Sequence, residues 1–150
     1  MESHDKPVLG WTEYLDFPDW KIHGMQVKVD TGARTSALHV EDLKVLPRNH
    51  VEFDVMIGRK PPFRRRTIRC KMVKWSKVRS STGEYTVRCF VIARVWIGPM
   101  EKEIEISLVS REKMRFRMLL GRSALAHDFL VDVSKRVSFT RRKKPHTGRH

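Results

Sequence analysis

Apolar and polar positions alternate along most of this chain, and few windows carry the three-and-four spacing of an amphipathic helix. Met25-Gln26-Val27-Lys28-Val29 and Val51-Glu52-Phe53-Asp54-Val55-Met56-Ile57 each read as half-buried strands, and residues 68–78 are strand-like. Tyr85, Val87, Cys89, Val91, Ala93, Val95 and Ile97 fall on one side of a single long strand. Ile104, Ile106 and Leu108 then alternate with Glu103, Glu105 and Ser107. Turn chemistry separates these runs: Ser80-Ser81-Thr82-Gly83 before the long strand and Gly98-Pro99 after it. The Pro-rich basic stretch over 58–66 reads as a loop. Leu119-Leu120 enters Gly121-Arg122-Ser123-Ala124-Leu125-Ala126, the one short helix the pattern predicts, and Phe129-Leu130-Val131-Asp132-Val133 returns as a strand. The reading is one mainly β domain over 1–140, followed by a basic, Pro- and Gly-containing tail over 141–150 that is expected to be disordered.

A length of 150 residues with 40% hydrophobic content suits a single domain with a real core. Met1-Glu2-Ser3-His4-Asp5-Lys6-Pro7 is polar and unlike a signal peptide, and no run approaches the roughly 18 apolar residues of a membrane span. Two cysteines, Cys70 and Cys89, allow at most one disulfide. A cytoplasmic protein without a membrane partner is therefore expected. The formal charge of +14, from 31 Lys and Arg against 17 acidic residues, attracts polyanions such as RNA or an acidic peptide.

Asp30-Thr31-Gly32-Ala33 closes the 25–29 strand with an acidic residue at a glycine-bearing turn. An isolated Asp-Thr-Gly is an ordinary turn signal. Its context is not ordinary: an apolar-alternating strand leads into it, and Leu119-Leu120-Gly121-Arg122 follows about 90 residues later. A carboxylate at such a strand end can be held nearly buried by backbone N–H groups, with Gly32 allowing close backbone approach.

These two segments together resemble the retropepsin-like aspartic proteases, half-sized relatives of pepsin that act as homodimers. Val29-Asp30-Thr31-Gly32-Ala33-Arg34-Thr35-Ser36-Ala37-Leu38-His39 is most similar to their bacterial branch, long labelled ATP-dependent zinc proteases. Ser80 to Gly83 ahead of a long strand, and the late Phe129-Leu130-Val131-Asp132-Val133-Ser134, extend the likeness over about 8–139. The resemblance implies a retropepsin-like closed barrel and a catalytic Asp30 whose symmetry mate supplies the second carboxylate. It further implies that Thr31 braces the partner loop across a two-fold axis, that Gly32 exposes a carbonyl to the substrate backbone, and that Ala33 supports the site. Gly121 and Arg122 would pack behind the site, and Ser80, Ser81, Thr82 and Gly83 would form a flap that closes over peptide. Relatives in this branch accompany ligases that add glutamate to proteins, so acidic or glutamate-modified proteins are among the expected substrates. Position 34 is Arg, where viral members carry the Asp that pairs with the late Arg. Arg122 therefore needs another partner, and Asp128 and Asp132 are both open.

No zinc or ATP dependence is expected, despite the old label, and no cofactor. The chain lacks His-Glu-x-x-His and Cys-x-x-Cys, and Gly58-Arg59-Lys60-Pro61 is no Walker loop. His39 reads as a packed or turn-capping residue, and Cys70 and Cys89 as buried thiols. A second function class stays open: a nucleic-acid or ribosome-binding β-barrel with a non-catalytic protease-like fold. Its support is Arg64, Arg65, Arg66, Arg69, Lys71, Lys74 and Lys77 around a single aromatic, Trp75.

Overall fold

The computed structural model describes residues 5–58, 60–79, 82–110 and 115–139. They form eleven strands, one short α-helix and a 3-10 turn in the order β1 (Val8–Leu9), β2 (Thr12–Phe17), the 3-10 turn (Pro18–Trp20), β3 (Ile22–Val29), β4 (Ser36–His39), β5 (Glu41–Leu46), β6 (His50–Ile57), β7 (Arg64–Arg79), β8 (Tyr85–Ile97), β9 (Met100–Val109), β10 (Met118–Leu120), α1 (Arg122–Leu125) and β11 (Leu130–Val131). Nine of the strands hydrogen-bond in the order β2-β3-β10-β4-β9-β8-β7-β6-β5, and β2 also pairs with β8. That extra pairing, Leu15 with Ile97 and Asp16 with Trp96, closes six strands into a ring. β7, β6 and β5 continue outward from β8 as a sheet extension.

Inward residues of successive strands fill the ring. Leu15, Val27, Leu38, Val91, Val95, Ile106, Met118 and Leu120 are all buried, and Val51, Phe53 and Val55 carry the same core into the extension. Trp20 joins the two parts, stacked on Phe17 at 5.0 Å and edge-on to Phe53 at 5.7 Å. Each fully buried side chain of this size contributes about 1.5–3 kcal/mol relative to exposure. Glu13 lies fully buried on β2, where its carboxylate accepts the backbone N–H groups of Gly10, Ser138 and Phe139 at 2.7–3.0 Å. A buried charge is tolerable only with such complete partnering. It ties the last described residues to the start of the ring.

The strands read from alternation are present, and Gly98-Pro99 turns β8 into β9 as a hairpin. Three expectations change. Arg64, Arg65 and Arg66 are not in the loop over 58–66 but in β7, paired with Ile57, Met56 and Val55 of β6. Tyr85 and Val87 are 64% and 61% exposed, because the β7–β8 hairpin projects beyond the ring; only Cys89 onward joins the core side. The return strand shrinks to Leu130–Val131, paired parallel to β1. The tail over 141–150 lies outside the described residues. Among those described, no helix is long and apolar enough to cross a membrane.

Candidate active site

β3 delivers Asp30 to the turn that follows it. The backbone N–H of Ala33 donates to the Asp30 carbonyl at 3.2 Å, and the Gly32 N–H donates to Asp30 Oδ1 at 3.0 Å. Asp30 thus opens a β-turn in which its own side chain takes the next free donor, the Asx arrangement. The carboxylate is half-buried rather than nearly buried, and Thr31 and Gly32 beside it are exposed. A Cβ at position 32 would sit 3.3 Å from Asp30 Oδ1, close enough to push the carboxylate aside by a few tenths of an ångström.

The turn is held from behind by the second segment. Asp30 N–H donates to the Leu120 carbonyl at 2.9 Å, the Arg122 N–H to Ala33 at 2.8 Å and the Ser123 N–H to Arg34 at 3.0 Å. β10 places this segment between β3 and β4, with Leu120 opposite Val29 and Leu119 opposite Ala37. Gly121 is required by closeness: a Cβ there would lie 2.5 Å from the Thr35 carbonyl carbon and 2.6 Å from its oxygen. Arg122 is partnered neither by Asp128 nor by Asp132. Its Nη1 donates to the Thr31 carbonyl at 3.0 Å, Asp128 takes Lys102 at 2.6 Å, and Asp132 takes Ser134. The two open carboxylates were both occupied by nearer donors, and a backbone carbonyl inside the turn filled the role.

Sequence reasoning missed two supports. Ser36, fully buried at the start of β4, accepts the Gly121 N–H on its hydroxyl at 3.0 Å; its carbonyl accepts from the buried Ser107 Oγ at 3.1 Å. Lys102 caps α1, donating from Nζ to the Ala124 carbonyl at 2.7 Å as well as to Asp128. The only available signal was composition, small hydroxyls and a lysine among apolar strands, and it singles out no position.

Thr82 and Gly83 lie in the exposed turn of the β7–β8 hairpin, positioned by that ladder, whereas Ser80 and Ser81 lie outside the described residues. His39 is buried on β4 with Nε2 3.3 Å from Glu41 Oε2. Both cysteines are free thiols. Burial, then the neighbouring Cys89, pushes the Cys70 thiol up to about 11. Among the described residues, no group of three or more His, Cys, Asp or Glu side chains is placed to hold a metal ion.

A family model described as "Retropepsin-like aspartic endopeptidase RimB" matches residues 8–144. The probable alpha-L-glutamate ligase of Shewanella pealeana is 32% identical over 138 residues, which cover 89% of this chain and 30% of that protein. Its counterpart in Desulfotalea psychrophila is 28% identical over 149 residues, covering 96% of this chain and 32% of that protein. The chain thus spans about a third of the length of these curated relatives. The crystal structure of Lpg0085, a protein of unknown function (DUF785) from Legionella pneumophila, aligns with a TM-score of 0.72 at 22% identity, over 89% of this chain and 97% of that one. That likeness is one of fold.

Proposed function

The chain belongs to the RimB-like family of retropepsin-like aspartic endopeptidases, and from that premise we propose that it is a homodimeric peptidase in which two Asp30 carboxylates activate one water. The observation that carries the reading is the asymmetry of the Asp30 turn. Its rear is bonded to Leu120, Arg122 and Ser123, while its front, Thr31 and Gly32, is exposed around a carboxylate. One chain supplies one such carboxylate, so the chemistry needs a second copy.

Two carboxyl groups about 3 Å apart do not both ionise, and they share a proton and titrate as a pair, as the pepsin dyad does. The ionised partner takes a proton from the water as its oxygen attacks the peptide carbonyl. The protonated partner donates to the oxygen of that carbonyl, and collapse of the tetrahedral species expels the amine with a proton returned from the pair. Thr31 braces the partner's turn, and the β7–β8 hairpin with Thr82 and Gly83 at its tip covers bound peptide. Acidic or glutamate-extended proteins are the substrate class. The charge of +14 supports this, as does the name of the longer relatives, which points to α-glutamyl bonds.

The test is Asp30→Asn, with cleavage of a glutamate-rich peptide followed by mass spectrometry and assembly by sedimentation. Cleavage is expected to vanish while the dimer persists, and a statine-type inhibitor is expected to compete in the wild type. Cleavage that survives the substitution, or a strict monomer at full activity, overturns the reading.

A further inference from the structure

Arg64, Arg65, Arg66 and Arg69 of β7 divide between its two faces. On the outward face of β7, Arg65 is held by Glu41, Asp42 and Asp54 at 2.7–3.2 Å, and Arg69 by Glu52 at 2.7 Å. Arg64 and Arg66 occupy the opposite face, the continuation of the side on which Ile68 and Phe53 are buried. There the sheet extension and the ring leave a groove of about 900 Å³, whose rim carries Lys21, Lys60, Arg64, Arg66, Arg115 and Arg117 and no carboxylate. Two of these tie the walls together: Arg66 Nη1 donates to the Lys21 carbonyl at 3.1 Å, and Arg117 Nη1 to the Met56 carbonyl at 3.0 Å. Lys21, Lys60, Arg64 and Arg115 have no carboxylate within 4.0 Å among the described residues, so four positive charges converge uncompensated on one concavity.

We propose that this groove is a docking site for an acidic peptide segment, separate from the bond-breaking centre. Taken as part of a substrate, the segment rests on the peptidase reading; as a binding site it does not. Ile22–Gln26 of β3 line the groove, and Asp30, the residue after that strand, comes four residues further on, roughly 13 Å at about 3.3 Å per residue. An acidic stretch seated here therefore lies a few residues from a bond positioned at Asp30. The floor, with Met25, Met56 and Ile57, suits aliphatic stems of glutamate side chains, while the guanidinium groups of Arg64 and Arg115 match carboxylates in bidentate geometry. A nucleic acid fits less well. Single strands need free aromatic faces, but Phe116 is edge-packed by Trp11 at 6.4 Å and covered by Arg115, and nearby Phe63 is covered by Arg117 at 4.0 Å.

The experiment measures binding of a fluorescein-labelled Glu-rich decapeptide to the full chain carrying Asp30→Asn, at low salt, by anisotropy. Adding Arg64→Glu and Arg115→Glu is expected to raise Kd about tenfold or more. Adding Lys71→Glu and Lys135→Glu, the same charge change at exposed positions outside the groove, is expected to leave Kd within about twofold. Equal weakening by both pairs overturns the proposal, because bulk charge would then be the cause. Tighter binding of oligouridine, itself lost with Arg64→Glu and Arg115→Glu, overturns it in favour of RNA. Peptide binding does not need the reaction, so cleavage surviving in Asp30→Asn would remove the peptidase reading and leave this result standing.

Discussion

Replacing Gly121 with Ala tests how tightly the Asp30 turn is backed. The new Cβ would meet the Thr35 carbonyl carbon at 2.5 Å, its oxygen at 2.6 Å and the Ser36 nitrogen at 3.0 Å. Ordinary contact begins near 3.4 Å, so the segments must part by about 0.9 Å. All three obstructing atoms are backbone, and Ser36 is pinned in the buried start of β4, so no side chain can swing aside. A shift of that size carries the bonds from Gly121, Arg122 and Ser123, now 2.8–3.0 Å, to nearly 4 Å and out of hydrogen-bonding range. Three bonds at about 1 kcal/mol each give roughly 3 kcal/mol, the upper end of the usual cost of overpacking. For a chain of this length that is a fall in Tm of roughly 6–12 °C, read by circular dichroism. A displacement of about 1 Å in the turn costs on the order of a hundredfold in kcat. A Gly121→Ala protein within 2 °C of the wild type would refute the close-approach account.

Arg122→Ala removes a single exposed bond to the Thr31 carbonyl; Tm is expected to fall by no more than about 3 °C while kcat drops about tenfold with KM little changed, and an unchanged kcat counts against a positioning role. Lys102→Met deprives the end of α1 and Asp128 of their shared donor, which costs about 2 kcal/mol and lowers Tm by roughly 4–8 °C. Cys70 is expected to react slowly with iodoacetamide at pH 8, because burial and then Cys89 push its thiol up to about 11. A raised folded-state pKa contributes stability that is intact below the ordinary thiol range and lost as pH rises through about 11, so the urea midpoint should fall less over that window in Cys70→Ala than in wild type. Salt separates the two associations proposed here: peptide binding in the groove weakens as salt rises, whereas pairing of two chains of +14 tightens as repulsion is screened.

The strands with one wet face were legible from the sequence, and those without one were not. β3, β6, β8 and β9 alternate because one side meets the core. β4 offers no period at all, since Ser36, Ala37, Leu38 and His39 are every one buried. β2 hides Glu13 and Asp16 in the interior, where polar letters argue against a core strand. β5 fails in the opposite way, as an exposed edge whose pairing with β6 is broken by an irregularity between Glu41 and Lys44. In β7 a run of arginines after two prolines reads as loop, although all three stand on the ladder with β6. The site was half legible. Asp30 and Gly32 announce a turn, but only the resemblance joined it to Gly121 across 90 residues, and the true acceptor for Arg122 was a carbonyl, which no side-chain pattern encodes.

Two features of the chain follow from one distribution of restraint. Behind Asp30, the Leu120 carbonyl accepts the Asp30 N–H, the Arg122 and Ser123 N–H groups donate to the Ala33 and Arg34 carbonyls, and the Gly121 N–H donates to the Ser36 hydroxyl, so the turn has no slack to lose on binding anything. In front of it, Thr31 and Gly32 are exposed, and the carboxylate holds a single described hydrogen bond to its own turn. Such a carboxylate is rigidly aimed yet underused, which is the state catalysis by preorganisation requires, because orientation is supplied by folding rather than at the moment of reaction. The charges divide in the same manner. Arg65, Arg69 and Lys74 of β7 and Lys102 of β9 each meet at least one carboxylate; Lys21, Lys60, Arg64 and Arg115 around the groove beside β3 meet none among the described residues. Four cations that share one concavity beside β3, with no carboxylate in its lining, are available together to an anion that arrives from outside the chain.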